Sequence, residues 1–185
     1  MSVPSRLNRV GRLEVDRRGR VRTVSSFVRT KEGRVKKRWR APSQEELEAA
    51  LERFTRLALN GNTRASMAAV NQINRVLYSK ESHGIQAHAL LKLGLLASHG
   101  NRFAIRAVAN ALLHENFSIR AYAQSYLSDT VSPQNRKLVL DAVEQAKNRL
   151  KKGSTEREAL LVFHRALEIR QEPTGRARQL PLFEQ

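Results

Sequence analysis

Between Gly84 and Asp129, apolar residues return every three or four positions through three successive segments, GIQAHALLKLGLLASHG, NRFAIRAVANALLHEN and FSIRAYAQSYLSD. Ile85, Ala89, Leu93 and Leu96 mark the first stripe, Ile105, Val108 and Leu112 the second, and Ile119, Tyr122 and Tyr126 the third. That spacing places an apolar band along one side of a helix. No single helix can bury such a band, so the three must stack. Ala and Gly beside the stripes allow the helix backbones to approach closely. The rest of the chain has to attach to this stack.

On the N-terminal side, Ser43 and Glu46 form a capping box that predicts a helix over Gln44–Asn60, with Leu47, Leu51, Phe54 and Ala58 inward and Gly61 as its stop. A second helix is expected over Thr63–Ser79, with Val70, Ile73 and Leu77 inward. The central three follow at Ile85–Ser98, Arg102–His114 and Ser118–Ser128. Ser132-Pro133 reads as an N-cap with proline at the first helical position, opening a sixth helix to Lys152 through Leu138, Ala142, Val143, Ala146 and Leu150. Thr155 and Glu158 suggest another capping box for a seventh, carrying Leu160, Leu161, Phe163 and Leu167.

Helix starts thus recur roughly every 16 to 20 residues, and helix pairs repeating at roughly 35–45 residues are the pattern of helical-repeat arrays. The middle helices resemble HEAT-type repeats in texture. A compact bundle is the other reading of the same pattern. The fold class expected is therefore mainly α, a HEAT-like repeat or α-bundle body of about seven helices, preceded by a small antiparallel β-meander.

The formal net charge is +17, and it is concentrated: residues 1–42 hold 14 Lys/Arg against Glu14, Asp16 and Glu32. A field focused in this way suits a polyanionic partner, nucleic acid first among them. The same region alternates apolar and charged residues in RLEVD-RRG-RVRTVSSFVRT-KEG-RVKKRWR, which predicts strands at Arg12–Asp16, Arg20–Thr30 and Arg34–Arg40. Both connections end in glycine, Gly19 and Gly33, as suits a last loop residue with positive φ. Alternation puts Arg34, Lys36, Arg38 and Arg40 on one face of the last strand, opposite Val35, Lys37 and Trp39.

Cations on a ribbon neutralise phosphates and release counterions, and an aromatic such as Trp39 or Phe27 can stack on a base or pack beneath the ribbon. The candidate nucleic-acid-binding residues are Arg17, Arg18, Arg20, Arg22, Arg29, Arg34, Lys36, Lys37, Arg38, Trp39 and Arg40. A plain solvated basic arm is the competing reading. A secondary set, Arg64, Arg75, Lys92, Arg102, Arg106 and Arg120, is spread through the helices, some of it along one edge of an array.

After Arg170 the helical pattern stops, and QEPTGRARQLPLFEQ reads as a tail. Gln179-Leu180-Pro181-Leu182-Phe183 resembles the linear motif by which bacterial replication and repair proteins dock on the β sliding clamp. The resemblance implies that Leu182 and Phe183 fill an apolar pocket, Leu180 a lesser hollow, and the Gln179 amide an orienting hydrogen bond. The alternative is that Leu180, Leu182 and Phe183 fold back on the helical stack.

No catalytic constellation stands out. His83, His88, His99, His114 and His164 share no ligand spacing, and Asp16, Asp129 and Asp141 are scattered. No phosphate loop or nucleophile elbow is present. The chain has no cysteine, no apolar run long enough to span a bilayer and no secretory-type apolar segment at its start, which together point to the cytoplasm. The expected organisation is a basic extension (1–42), a helical domain (43–170) and a tail (171–185). The expected function is a non-catalytic, nucleoid-associated adaptor without cofactor or metal. DNA is favoured over RNA as the partner, although phosphate contacts to the two look alike; the alternatives are an RNA- or ribosome-associated protein and an interaction scaffold with a solubilising basic arm.

Overall fold

A computed structural model describes residues 13–16, 19–29 and 35–169, with side chains for residues 16, 19–22 and 40–169. Among the described residues three strands, β1 (Leu13–Val15), β2 (Val21–Arg29) and β3 (Val35–Arg40), precede seven helices. These are α1 (Gln44–Asn60), α2 (Thr63–Leu77), α3 (His83–Ser98), α4 (Arg102–Ala111), α5 (Phe117–Thr130), α6 (Arg136–Asn148) and α7 (Thr155–Ile169). The protein is mainly α, with a small antiparallel meander at its N-terminal side, as the periodicity indicates.

Each substantial helix–helix contact among the described elements joins helices one or two apart in the chain. α1, α3 and α5 are neighbours in one layer, and α2, α4 and α6 are neighbours in the other. That is the connectivity of stacked helical hairpins, in which each unit buries its stripe against the next. α3 lies at the centre, touching α1, α2, α4 and α5. Its sequence explains why: Ile85, Ala89, Leu90, Leu93, Leu96 and Ala97 are all buried. Gly94 completes the packing, because a Cβ there would come within 2.7 Å of the Tyr126 ring on α5.

Local signals set the helix starts. Ser43 Oγ accepts from Glu46 N, and the Glu46 carboxylate accepts from Ser43 N, so the capping box of α1 is complete. Asn62, Ser82, Asn101 and Asn116 cap the next four helices through their side chains. Asn101 also fastens layers together, donating to Ser66 Oγ at 2.7 Å and to Ala58 O. Buried His114 ties the end of α4 to the end of α2 within one layer: its Nδ1 accepts from Asn116 N at 3.1 Å, leaving the Nε2 proton for Leu77 O at 3.3 Å.

Several expectations need correction. In α5 the buried stripe is Ile119, Ala123 and Leu127; Tyr122 is exposed and Tyr126 only half-buried. The i, i+4 set wins because its small and aliphatic members fit against α3, whereas Tyr122 keeps its hydroxyl in water. α6 does not begin at Ser132-Pro133. Ser132 O instead accepts from both Asn135 N and Arg136 N in a turn, and the helix follows one turn later. α7 is capped by Ser154, whose Oγ accepts from Arg157 N, and not by Thr155. α2 and α4 stop at Leu77 and Ala111, short of Ser79 and His114.

The sheet order is β1-β2-β3, antiparallel throughout. Leu13 pairs with Thr23 and Val15 with Val21; Phe27 pairs with Lys37 and Val28 with Lys36. The register shifts by one residue between Val24 and Ser26, leaving Ser25 as a β-bulge, a device that bends and twists a ribbon. Gly19 sits at φ +79°, the left-handed region that closes the first hairpin.

Candidate nucleic-acid interface

The ribbon is fixed to the helical body at its β1–β2 turn. Lys80 N donates to Gly19 O, and Val21 N donates to the Glu81 carboxylate at 2.9 Å. Val21 itself is fully buried, so the start of β2 belongs to the same core as α2 and α3. The turn is also braced internally by Asp16, which accepts from Arg20 N at 3.0 Å and from Arg22 Nε at 3.0 Å. Three of the candidate cations have described side chains, and each has an acid of the same chain beside it. Arg20 and Arg22 share Asp16, and Arg40 forms a two-pronged pair with Glu46. Arg20 and Arg40 remain about half exposed, and such surface pairs contribute little energy. Both stay within reach of an external anion.

The backbone carries Arg29, Lys36, Lys37, Arg38 and Trp39 on the paired strands β2 and β3. Their side chains, and all of Arg17, Arg18 and Arg34, lie outside the described residues. So does Gly33, and so do the tail positions Gln179, Leu180, Leu182 and Phe183.

Arg40 and the Ser43 backbone hold the Glu46 carboxyl well below its ordinary value, at about 2. A depressed carboxyl contributes stability that is fully present above its ordinary value of 4.5 and is lost as pH falls through about 2. Replacing Glu46 by Gln is therefore expected to flatten the acid limb of the stability curve between those two values. Circular-dichroism melts taken across that range check it; an unchanged slope would mean that the cap and pair do not titrate with folding.

The secondary cations divide into two kinds. Lys92 is engaged with Glu52 across α3 and α1, and Arg120 donates to the carbonyls of His114 and Glu115, each at 2.8 Å. These two serve the fold. Arg64, Arg75, Arg102 and Arg106 are exposed, and among the described residues none is paired with an acid. Arg149, which lies outside the candidate set and whose place at the basic C-terminal end of the sixth helix reads in the sequence as dipole compensation, donates to Asn110 Oδ1 at 2.9 Å and joins α6 to α4. It also lies close enough to Tyr78 to oppose the upward pKa shift that burial gives the phenol. Only the packing brings Arg149 beside α2 and α4.

Asp141 lines a shallow groove of about 420 Å³ between α6 and α7, with Glu144, His164 and Glu168. Lys147 bonds the Glu144 carboxylate and lowers its pKa, and His164 lies 3.6 Å from Glu168. Among the described residues no group of three or more such side chains could hold a metal ion, and no helix is long and apolar enough to cross a membrane. No protein-family model, curated protein or solved structure matches the chain, so its fold and its surface chemistry are what a functional reading rests on.

Proposed function

We propose that this protein is a non-catalytic nucleic-acid-associated adaptor, with DNA favoured over RNA, that recruits its nucleic acid to a sliding clamp in replication, repair or mobile-element maintenance. The observation that carries the proposal is the concentration of 14 Lys/Arg within residues 1–42, seven of them in the described residues of a ribbon whose first turn is anchored to the helical body. A ribbon whose backbone is anchored at its turn has less ordering entropy opposing phosphate binding than a free arm. Gln179–Phe183 supplies the second, apolar contact, at the far end of the chain from the ribbon. In this reading the protein works in the cytoplasm, at the nucleoid.

The test uses the full chain, a variant with Arg34, Lys36, Arg38 and Arg40 changed to Gln, and a deletion of residues 179–185. The ribbon variant is expected to weaken binding to duplex DNA by at least tenfold near 0.1 M salt and to flatten the salt dependence. The deletion is expected to abolish capture of purified clamp while leaving DNA affinity untouched. Unchanged salt slope in the first or unchanged clamp capture in the second overturns the corresponding half.

A second reading of the tail has its own support. An apolar groove of about 320 Å³ between α5 and α7, lined by Leu112, Phe117, Ala121, Ala159 and Leu160, could receive Leu182 and Phe183. In that case the deletion lowers the melting temperature and has no clamp binding to lose.

A further inference from the structure

We propose that the outer surface of the α2–α4–α6 layer is a second phosphate-binding face, continuing the path that the ribbon begins; this rests on nucleic acid being the partner. The two layers differ in charge. α2, α4 and α6 carry seven Lys/Arg against Asp141 and Glu144, whereas α1, α3 and α5 carry four against five acids. α2 and α4 contain no acid at all. Folding alone does not require this segregation, because a solvated face is equally well served by mixed charges.

The geometry extends the argument. Arg64 and Arg75 are eleven residues apart on α2, about three turns, and so point to the same side. Arg102 and Arg106 are one turn apart on neighbouring α4, and Arg102 lies over the Phe103 ring at 4.9 Å. Arg149, held by Asn110 beside Tyr78, carries the row to the end of α6. Lys92 and Arg120 of the opposite layer are engaged within the fold, and so are Arg136 and Lys147 of α6. Of the exposed cations of this face, Arg64, Arg75, Arg102 and Arg106 pair with no acid among the described residues. The row also meets the ribbon: Lys80, just past the end of α2, is the residue that receives the β1–β2 turn. Three adjacent helices span roughly 20 Å. That is the length of about six base pairs at 3.4 Å per step.

The ligand is a nucleic-acid backbone, with either DNA or RNA as its source. Fluorescence anisotropy with the full chain on a 20-base-pair DNA duplex and on an RNA stem-loop, over a salt series, tests the face. The variant is Arg75→Gln with Arg106→Gln; Arg64→Gln with Arg102→Gln is the second variant should the first fail to fold. Arg56→Gln with Arg165→Gln removes the same charge from exposed positions outside the α2–α4–α6 layer. The face variants are expected to weaken binding about tenfold and to reduce the salt slope on duplex DNA by about 2, with melting temperature unchanged. A loss on either probe supports the face and identifies its source. A loss no greater than that of the control pair overturns the face while leaving the ribbon reading intact. Absence of binding by the unaltered chain to both probes overturns the nucleic-acid reading itself.

Discussion

Leu93→Ala is expected to cost about 2–5 kcal/mol of folding free energy, a large share of the roughly 5–15 kcal/mol available to a domain. Leu93 is fully buried on α3, the helix that four others pack around, so the walls of the resulting cavity are held from several sides. A site held in that way relaxes little, which places the loss towards the upper part of the range. The same chemical change at Leu91, two residues earlier on the same helix and 47% exposed, is expected to alter stability by no more than about 0.5 kcal/mol. Urea unfolding of the two variants side by side measures both. Similar midpoints would mean that α3 is not the centre of the array.

Gly94→Val is expected to destabilise by about 3 kcal/mol, in spite of the few tenths that a better helix former returns. The first added carbon would lie 2.7 Å from Tyr126 Cγ and 2.9 Å from Cδ2, close to the point where the ring joins its own backbone. The ring therefore cannot swing clear as the end of a long side chain would. Tyr126→Ala removes the obstacle, so the double variant Gly94→Val/Tyr126→Ala is expected to be at least 1 kcal/mol more stable than the two single losses add up to. Simple additivity in denaturant melts would show that α3 and α5 do not touch at this point.

The Gly94–Tyr126 contact also shows where reading the sequence stops. Tyr126 falls at the right spacing for an apolar stripe with Ile119 and Tyr122, yet the buried residues are Ile119, Ala123 and Leu127. Two stripes offset by one position differ by about 100° around a helix. Which of them faces inward depends on the volume that α3 offers, and that volume is set by residues distant in sequence. Ser132-Pro133 fails for a related reason. Its chemistry suits a helix start, but the chain spends it on a turn in which Ser132 O accepts two N–H groups before α6 begins. The Ser43–Glu46 box was legible because every atom it needs lies within four residues.

The candidate interface divides along the same line. That the front of the chain is basic and strand-forming follows from composition and alternation. That Arg20, Arg22 and Arg40 sit beside Asp16 and Glu46 emerges only once the turn and the first helix are in place. Likewise, Lys92 and Arg120 look no different from Arg75 and Arg106 in the sequence, yet the fold gives the first two partners and leaves the second two without an acid among the described residues.

By itself, the sequence determined the mainly helical content, the Ser43–Glu46 cap and the concentration of charge at one end, since each depends on composition or on residues within a turn or two of one another. Tertiary structure decided which alternate helices lie side by side, and so which arginines share a surface. That outcome rests on apolar volumes meeting across tens of residues, a quantity that no local pattern encodes.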